Sequence, residues 1–263
     1  MFPTRFFRHA INFCLTLGLW VYFTLGFLVL MFVLLIPCYL KLKTGEAVLQ
    51  KLFHVHLKVF FALVDLVSPG VRLDVSEDIR NLRSSIIVCN HLSYLDPILL
   101  VSLFPRQTTI VKNTFFSVPI FGWFLRKAGY VPSSPAEMYG PAMINHLEGI
   151  KRQLAAGGNL FVFPEGTRGR RGRLAPFNKG VFSIARYCNT GLQLVLIRNT
   201  DRLFRPGAFS FATRGKFTVS MELIGSLTPD DLKNSSISSS ADRARALFER
   251  KIRETKTGGD AQE

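Results

Sequence analysis

Several patterns that would fix a function class at once are missing from this chain. Its 263 residues hold four cysteines, Cys14, Cys38, Cys89 and Cys188, scattered without a CxxC pair. Neither a disulfide framework nor a cysteine metal site follows, and a reduced, cytoplasm-facing protein is the simplest reading. There is no Gly-x-Ser-x-Gly elbow, so the serine-nucleophile arrangement built on it is excluded. No internal repeat is visible, and low complexity is confined to Asn234–Ser240 and Thr255–Glu263, read as a loop and a frayed tail. Acidic residues are scarce, 18 against 33 Lys and Arg, and the formal net charge of +15 attracts anions. The phenylalanines sit in apolar runs rather than alternating with Lys and Arg, which argues against a base-stacking platform and against nucleic acid as partner.

The absence of charge is sharpest between Ala10 and Leu40, where no Asp, Glu, Lys, Arg or His occurs. As one helix this stretch would run roughly 45 Å, at about 1.5 Å per residue, against a hydrocarbon core of about 30 Å. It is too long for a signal-peptide core, and no small-residue cleavage site follows. We read it as a membrane segment, tilted or bent into a re-entrant hairpin. Arg5 and Arg8 precede it and Lys41, Lys43 and Lys51 follow, so positive charge on both flanks favours a hairpin or shallow insertion returning to the cytoplasmic side over a single crossing. Next, Gly45 to Val67 places Leu49, Leu52, Phe53, Phe60, Leu63, Val64 and Val67 on one stripe, with Lys51, Lys58 and Asp65 on another face. This reads as an interfacial amphipathic helix. His54 and His56, two residues apart, point in different directions and are not read as ligands.

From Pro69-Gly70 onward the texture changes to short apolar runs alternating with helical patterns. Ser85–Cys89, Thr108–Val111, Leu160–Phe163 and Leu192–Ile197 read as strands, as does the alternating run Phe217 to Leu223. Met143, Leu147, Ile150 and Leu154 share a helix face that ends at Gly157-Gly158, and Lys179–Cys188 and Ala241–Lys256 read as further helices. The expected fold class is therefore α/β, a mixed and largely parallel sheet flanked by helices, with an N-terminal hydrophobic helical membrane appendage. The expected division is membrane-anchoring helices over 1–68, a catalytic domain over 69–254 and a flexible tail over 255–263.

Two clusters follow strands, at the ends where open α/β sheets usually hold their sites. The first is Asn90-His91-Leu92-Ser93-Tyr94-Leu95-Asp96-Pro97. With Asp96 as N-cap and Pro97 as first helical residue, the carboxylate can fold back toward the imidazole. His91 is then a base and Asp96 its orienter, suited to taking the proton of an alcohol that attacks a thioester. On this octapeptide alone, a capping Asp96 beside an inert loop histidine is an equal reading. The second cluster is Phe161-Val162-Phe163-Pro164-Glu165-Gly166-Thr167-Arg168-Gly169, opening into Arg170-Arg171-Gly172-Arg173. Its glycines permit close backbone approach and its guanidinium groups suit phosphate, although a solvated basic loop would also look like this.

Together the clusters resemble the glycerolipid acyltransferase family, which includes 1-acylglycerol-3-phosphate acyltransferases and carries a His, four residues, Asp motif and a later F-P-E-G-T-R motif. The resemblance covers roughly Val71 to Gly225. It implies that His91 and Asp96 form the catalytic pair and that Glu165, Gly166, Thr167 and Arg168 help bind the glycerol-phosphate part of the acceptor. It further implies an acyl-CoA or acyl carrier protein donor, a lysophospholipid acceptor, a membrane bilayer as partner and no cofactor. The expected location is the cytoplasmic face of an inner membrane, or of an internal membrane in a eukaryote. Two departures concern the acceptor. The family's G-x-x-F-I-x-R-like arginine is missing from Gly129-Tyr130-Val131-Pro132-Ser133-Ser134, leaving Arg126, Lys127 or Lys112 as substitutes, and the later strand, Gln193–Ile197, lacks the family's frequent proline. The expected product is phosphatidic acid from 1-acylglycerol-3-phosphate. Another lyso-lipid acceptor, or a catalytically silent lipid-binding protein on the same scaffold, stands as the alternative.

Overall fold

A computed structural model describes residues 2–39, 45–133, 141–169 and 174–259. Of the residues named in the sequence reading, Leu40, Lys41, Lys43, Ser134, the Arg170–Arg173 run and residues 260–263 of the tail lie outside the described residues. Seven strands form the sheet: β1 (Val71–Val75), β2 (Ile86–Cys89), β3 (Gln107–Val111), β4 (Val131–Pro132), β5 (Asn159–Val162), β6 (Leu192–Arg198) and β7 (Phe217–Leu227). Their spatial order is β1-β7-β6-β2-β5-β3-β4. Strands β6, β2, β5, β3 and β4 run parallel, and β7 reverses against β6 and carries β1 beside it. The sheet is mixed and largely parallel, as expected.

The helices are α1 (Phe2–Val21), α2 (Phe27–Tyr39), α3 (Glu46–Val67), α4 (Glu77–Arg80), α5 (Leu95–Leu103), α6 (Phe121–Lys127), α7 (Pro141–Ala155), α8 (Gly180–Cys188), α9 (Thr200–Leu203), α10 (Pro229–Asn234) and α11 (Ile237–Gly259). The last helix thus begins inside the segment read as a loop and ends within the segment read as a tail. Alternation in the strands sorts the core into two layers, because successive side chains point to opposite faces. Ile87, Cys89, Phe161 and Ile197 join one buried cluster with α3 and α5, while Ile86, Val88, Leu160 and Leu196 join another with α7, α8 and α11.

Helices α1 and α2 are joined by a π-helical turn, Tyr22–Gly26, rather than by a reversal. The reversal comes with α3, since Phe27 meets Phe53 at 5.8 Å and Phe23 meets Phe60 at 5.5 Å, an antiparallel order. His56 packs into the π turn, its ring stacked on Tyr22 at 5.0 Å. A Cβ at Gly26 would stand 3.0 Å from that ring, so glycine permits the approach. The apolar stripe of α3 does not face lipid as read from sequence: Leu49, Phe53, Phe60 and Val64 are buried in the layer that covers the sheet. A helix stripe reports that something apolar covers it, and here the sheet and its helices do. Pro69-Gly70 is where the chain enters the sheet, yet the core continues across it.

Between Asn12 and Met31 the N-terminal helix is packed along one flank. Thr16, Leu19 and Met31 are buried, and the loop after α9 runs along it, with Trp20 donating to the Phe209 carbonyl at 3.0 Å and Phe211 N–H to the Thr16 hydroxyl at 3.2 Å. Its other flank exposes Phe7, Leu25, Val29 and Phe32.

Candidate active site

The C-terminal ends of β6, β2, β5 and β3 lie side by side because these strands are parallel neighbours. Each contributes a polar group at that edge: Thr200 after β6, His91 after β2, the Pro164–Gly169 turn after β5 and Lys112 after β3. His91, Arg168 and Lys112 line an open cavity of about 2340 Å³, which extends to Phe23 and Phe27 of the N-terminal helices. This exceeds the roughly 300–1,000 Å³ of a site for one drug-sized ligand and can hold two substrates at once.

His91 and Asp96 are brought together. Nδ1 of His91 lies 2.8 Å from Oδ2 of Asp96, whose residue is fully buried. In the neutral imidazole, an Nδ1–H that donates to this carboxylate leaves the lone pair on Nε2. Asp96 is not the N-cap that the sequence suggests. Helix α5 begins two residues earlier than expected, at Leu95 with Tyr94 at the cap position, and the Asp96 carboxylate turns back instead. Oδ2 accepts from the N–H groups of Leu92 and Ser93 at 2.6 and 2.8 Å, and Oδ1 from the Thr200 hydroxyl at 2.5 Å. These four contacts hold the buried carboxylate in place of water. Asn90 fixes the turn from below by exchanging two hydrogen bonds with the backbone of Ile197.

The F-P-E-G-T-R turn clamps the histidine from the other side. Phe163 stacks on the His91 ring at 4.5 Å, and Gly169 N–H donates to the His91 carbonyl at 2.7 Å. Gly166 makes the turn possible with φ of +64°, in the left-handed region. Glu165 is buried, and both its oxygens are engaged by backbone: Oε1 accepts from His91 N–H at 3.0 Å and Oε2 from Ala175 N–H at 2.8 Å. Burial pushes the Glu165 carboxyl above the ordinary glutamate value, and the two N–H bonds oppose that shift.

Arg168 lies flat on Tyr94, its guanidinium carbon 3.8 Å from the ring centre, and Nη2 donates to the Tyr94 hydroxyl at 3.0 Å. Nη1 is buried with no hydrogen-bond partner among the described residues. Of the three cations considered for the missing arginine, Lys112 lines the cavity, whereas Arg126 is turned to the Phe116 carbonyl at 2.8 Å and Lys127 is not part of the lining. Gly166 and Thr167 are exposed and also line the cavity. Among the described residues no group of three or more His, Cys, Asp or Glu side chains is placed to hold a metal ion. Sequence reasoning missed Thr200 and Tyr94. The rule that sites gather at strand ends points to Thr200 only once β6 is known to neighbour β2.

Residues 70–198 match the family model described as Acyltransferase. The chain is 29% identical over 174 residues to "1-acyl-sn-glycerol-3-phosphate acyltransferase BAT2, chloroplastic" of Brassica napus, covering 65% of this chain and 49% of that protein. It is 29% identical over 176 residues to the 1-acyl-sn-glycerol-3-phosphate acyltransferase of Saccharomyces cerevisiae, covering 65% of this chain and 56% of the relative. The matched region thus spans about half the length of these curated relatives. The crystal structure of the 1-acyl-sn-glycerophosphate (LPA) acyltransferase PlsC from Thermotoga maritima superposes with a TM-score of 0.68 at 23% identity, over 95% of this chain and 98% of that one, a likeness of fold.

Proposed function

Since this chain belongs to the acyltransferase family, we propose that it transfers a fatty acyl group from a thioester to the free hydroxyl of a lysophospholipid, with 1-acylglycerol-3-phosphate as acceptor and phosphatidic acid as product. The observation that carries this reading is the His91–Asp96 pair at 2.8 Å on the wall of a cavity that reaches the apolar N-terminal helices. Nε2 of His91 takes the acceptor hydroxyl proton as its oxygen bonds to the thioester carbonyl carbon, and Asp96 stabilises the imidazolium. The carbon–sulfur bond then breaks, and the thiolate leaves with the proton held by His91. Glu165 positions His91 through its backbone, while Arg168 and Lys112 receive the acceptor phosphate. Nη1 of Arg168, buried without a partner among the described residues, supports that assignment, because a buried guanidinium nitrogen calls for an anion. The donor is acyl-CoA or acyl carrier protein.

The protein works at a membrane surface. The exposed apolar flank of the N-terminal helix supports this, and the loop packed along its other flank argues for a helix lying in one face of the bilayer rather than crossing it. Positive residues on both sides of the apolar run favour the cytoplasmic face. Assaying the full chain with a panel of lyso-lipids and both donors tests the activity. His91→Ala should lower turnover by a factor on the order of 10² to 10⁴ in a folded protein, and near-normal turnover would remove the mechanism.

A further inference from the structure

Asp201 to Lys216 carries Arg202, Arg205, Arg214 and Lys216 against a single acid, and all four cations are exposed. The catalytic scheme uses none of them. This segment is held against the C-terminal half of α1, at Asn12, Thr16 and Trp20, by specific contacts. Besides the bonds to Thr16 and Trp20, the Thr213 hydroxyl donates to the Asn12 side chain at 2.5 Å. Phe209 at its crest is 51% exposed and lies 5.9 Å from Phe13 of α1, which is 52% exposed. An aromatic pair that packs on itself while half its surface stays open, on a helix flank that also exposes Leu17 and Val21, suits an apolar medium better than water. Arg205 lies on one side of Phe209 in the chain, and Arg214 and Lys216 on the other. Aromatic rings flanked by cations suit the boundary between acyl chains and headgroups.

From this we infer that the Arg205–Lys216 loop is a headgroup-reading collar, which seats the enzyme on bilayer surfaces rich in anionic phospholipid, with Phe209 and Phe13 entering the headgroup boundary and Arg205, Arg214 and Lys216 meeting lipid phosphates. The inference rests on the reading of α1 as a membrane-seated helix. It selects the surface on which the enzyme works, and not the acceptor that reaches His91. An acidic protein is the less fitting occupant, because charge alone would satisfy it and the exposed aromatic pair would have no role.

The test is lipid titration of the purified full chain by vesicle flotation, with vesicles of phosphatidylcholine alone and of phosphatidylcholine containing phosphatidylglycerol. The wild-type protein should bind the anionic vesicles about tenfold more tightly, and high salt should close the gap. Reversing Arg205, Arg214 and Lys216 to Glu should abolish the preference while binding to neutral vesicles and turnover in detergent micelles persist. Replacing the two arginines by Lys should retain it, and reversing Arg152, Lys233 and Arg250 on the opposite side of the sheet should leave it intact. Equal wild-type binding to both vesicle types, or an unchanged preference after collar reversal, overturns the collar alone. A wild-type chain that binds neither vesicle overturns the membrane reading with it. Collar reversal that leaves vesicle binding intact but raises KM for acyl carrier protein would reassign the loop to the donor protein.

Discussion

The hydroxyl of Thr200 donates to Oδ1 of Asp96, the carboxylate oxygen that His91 does not use. Both residues are buried, and the two lie 104 positions apart in the chain. One oxygen therefore holds the imidazole and the other holds Asp96 to the end of β6, which fixes the carboxylate plane relative to His91. Thr200→Val keeps the shape and removes the donor, leaving one lobe of a buried anion unmatched at a cost of about 1.5 to 3 kcal/mol. Turnover should fall by on the order of tenfold or more with acceptor KM little changed, and Thr200→Ser should restore it. Steady-state kinetics of the three proteins decide this; an equal loss in the serine variant would point to packing instead.

Lys112 and Arg168 line the cavity, and Arg126 does not. Lys112→Ala should therefore raise the acceptor KM, whereas Arg126→Ala should mainly affect stability, by releasing the Phe116 carbonyl. Arg168→Lys keeps a charge but loses the planar fork and the flat contact on Tyr94, so only partial rescue relative to Arg168→Ala is expected. Kinetics with acceptor and donor varied separately check both. A rise confined to the donor KM would assign these cations to the phosphates of the donor.

How much of this is legible in the sequence follows from what each signal encodes. The central strands are readable because they are buried on both faces and so are spelled as apolar runs. β1 is not, since Arg72 and Asp74 are exposed at the sheet edge and break the run. The stripe on α3 is visible, but a stripe does not say whether lipid or protein covers it. The His91–Asp96 pair is local in sequence, so its spacing carries it. The partner of Asp96 at the end of β6 depends on strand order, which no local pattern states. Glu165 reads as a ligand to the acceptor because it sits in the motif, and its bonds to two backbone N–H groups belong to the tertiary structure alone.

The burial of α3 in the sheet's own core bears on truncation. Phe60 is 1% exposed among Phe23, Phe61 and Phe211, drawn from three segments of the chain. Phe60→Ala should cost about 3 to 5 kcal/mol through lost burial and the cavity left behind. A chain beginning at Pro69 should lack a cooperative thermal transition, as measured by circular dichroism in detergent. A sharp transition in that fragment would show that the catalytic domain closes its core unaided.

Glu165 sets stability and activity against each other as pH changes. Burial raises its carboxyl above the ordinary glutamate value, so the native chain binds this proton more tightly than the unfolded chain does. Stability from this group is accordingly greatest below the unfolded value and is lost as pH rises through the raised folded value. Activity should move the other way. The anion is the stronger acceptor for both His91 N–H and Ala175 N–H, and protonation weakens the bond at the oxygen that takes the proton. Turnover should therefore rise with pH over the same interval in which this contribution to stability falls. Glu165→Gln presents an amide N–H to one of those donors at every pH, so it should lower turnover at neutral pH and remove this segment of both profiles. Paired thermal melts and kcat measurements across the acid range check it. If the variant keeps the wild-type acid limb of kcat, the carboxylate clamp is not what sets that limb.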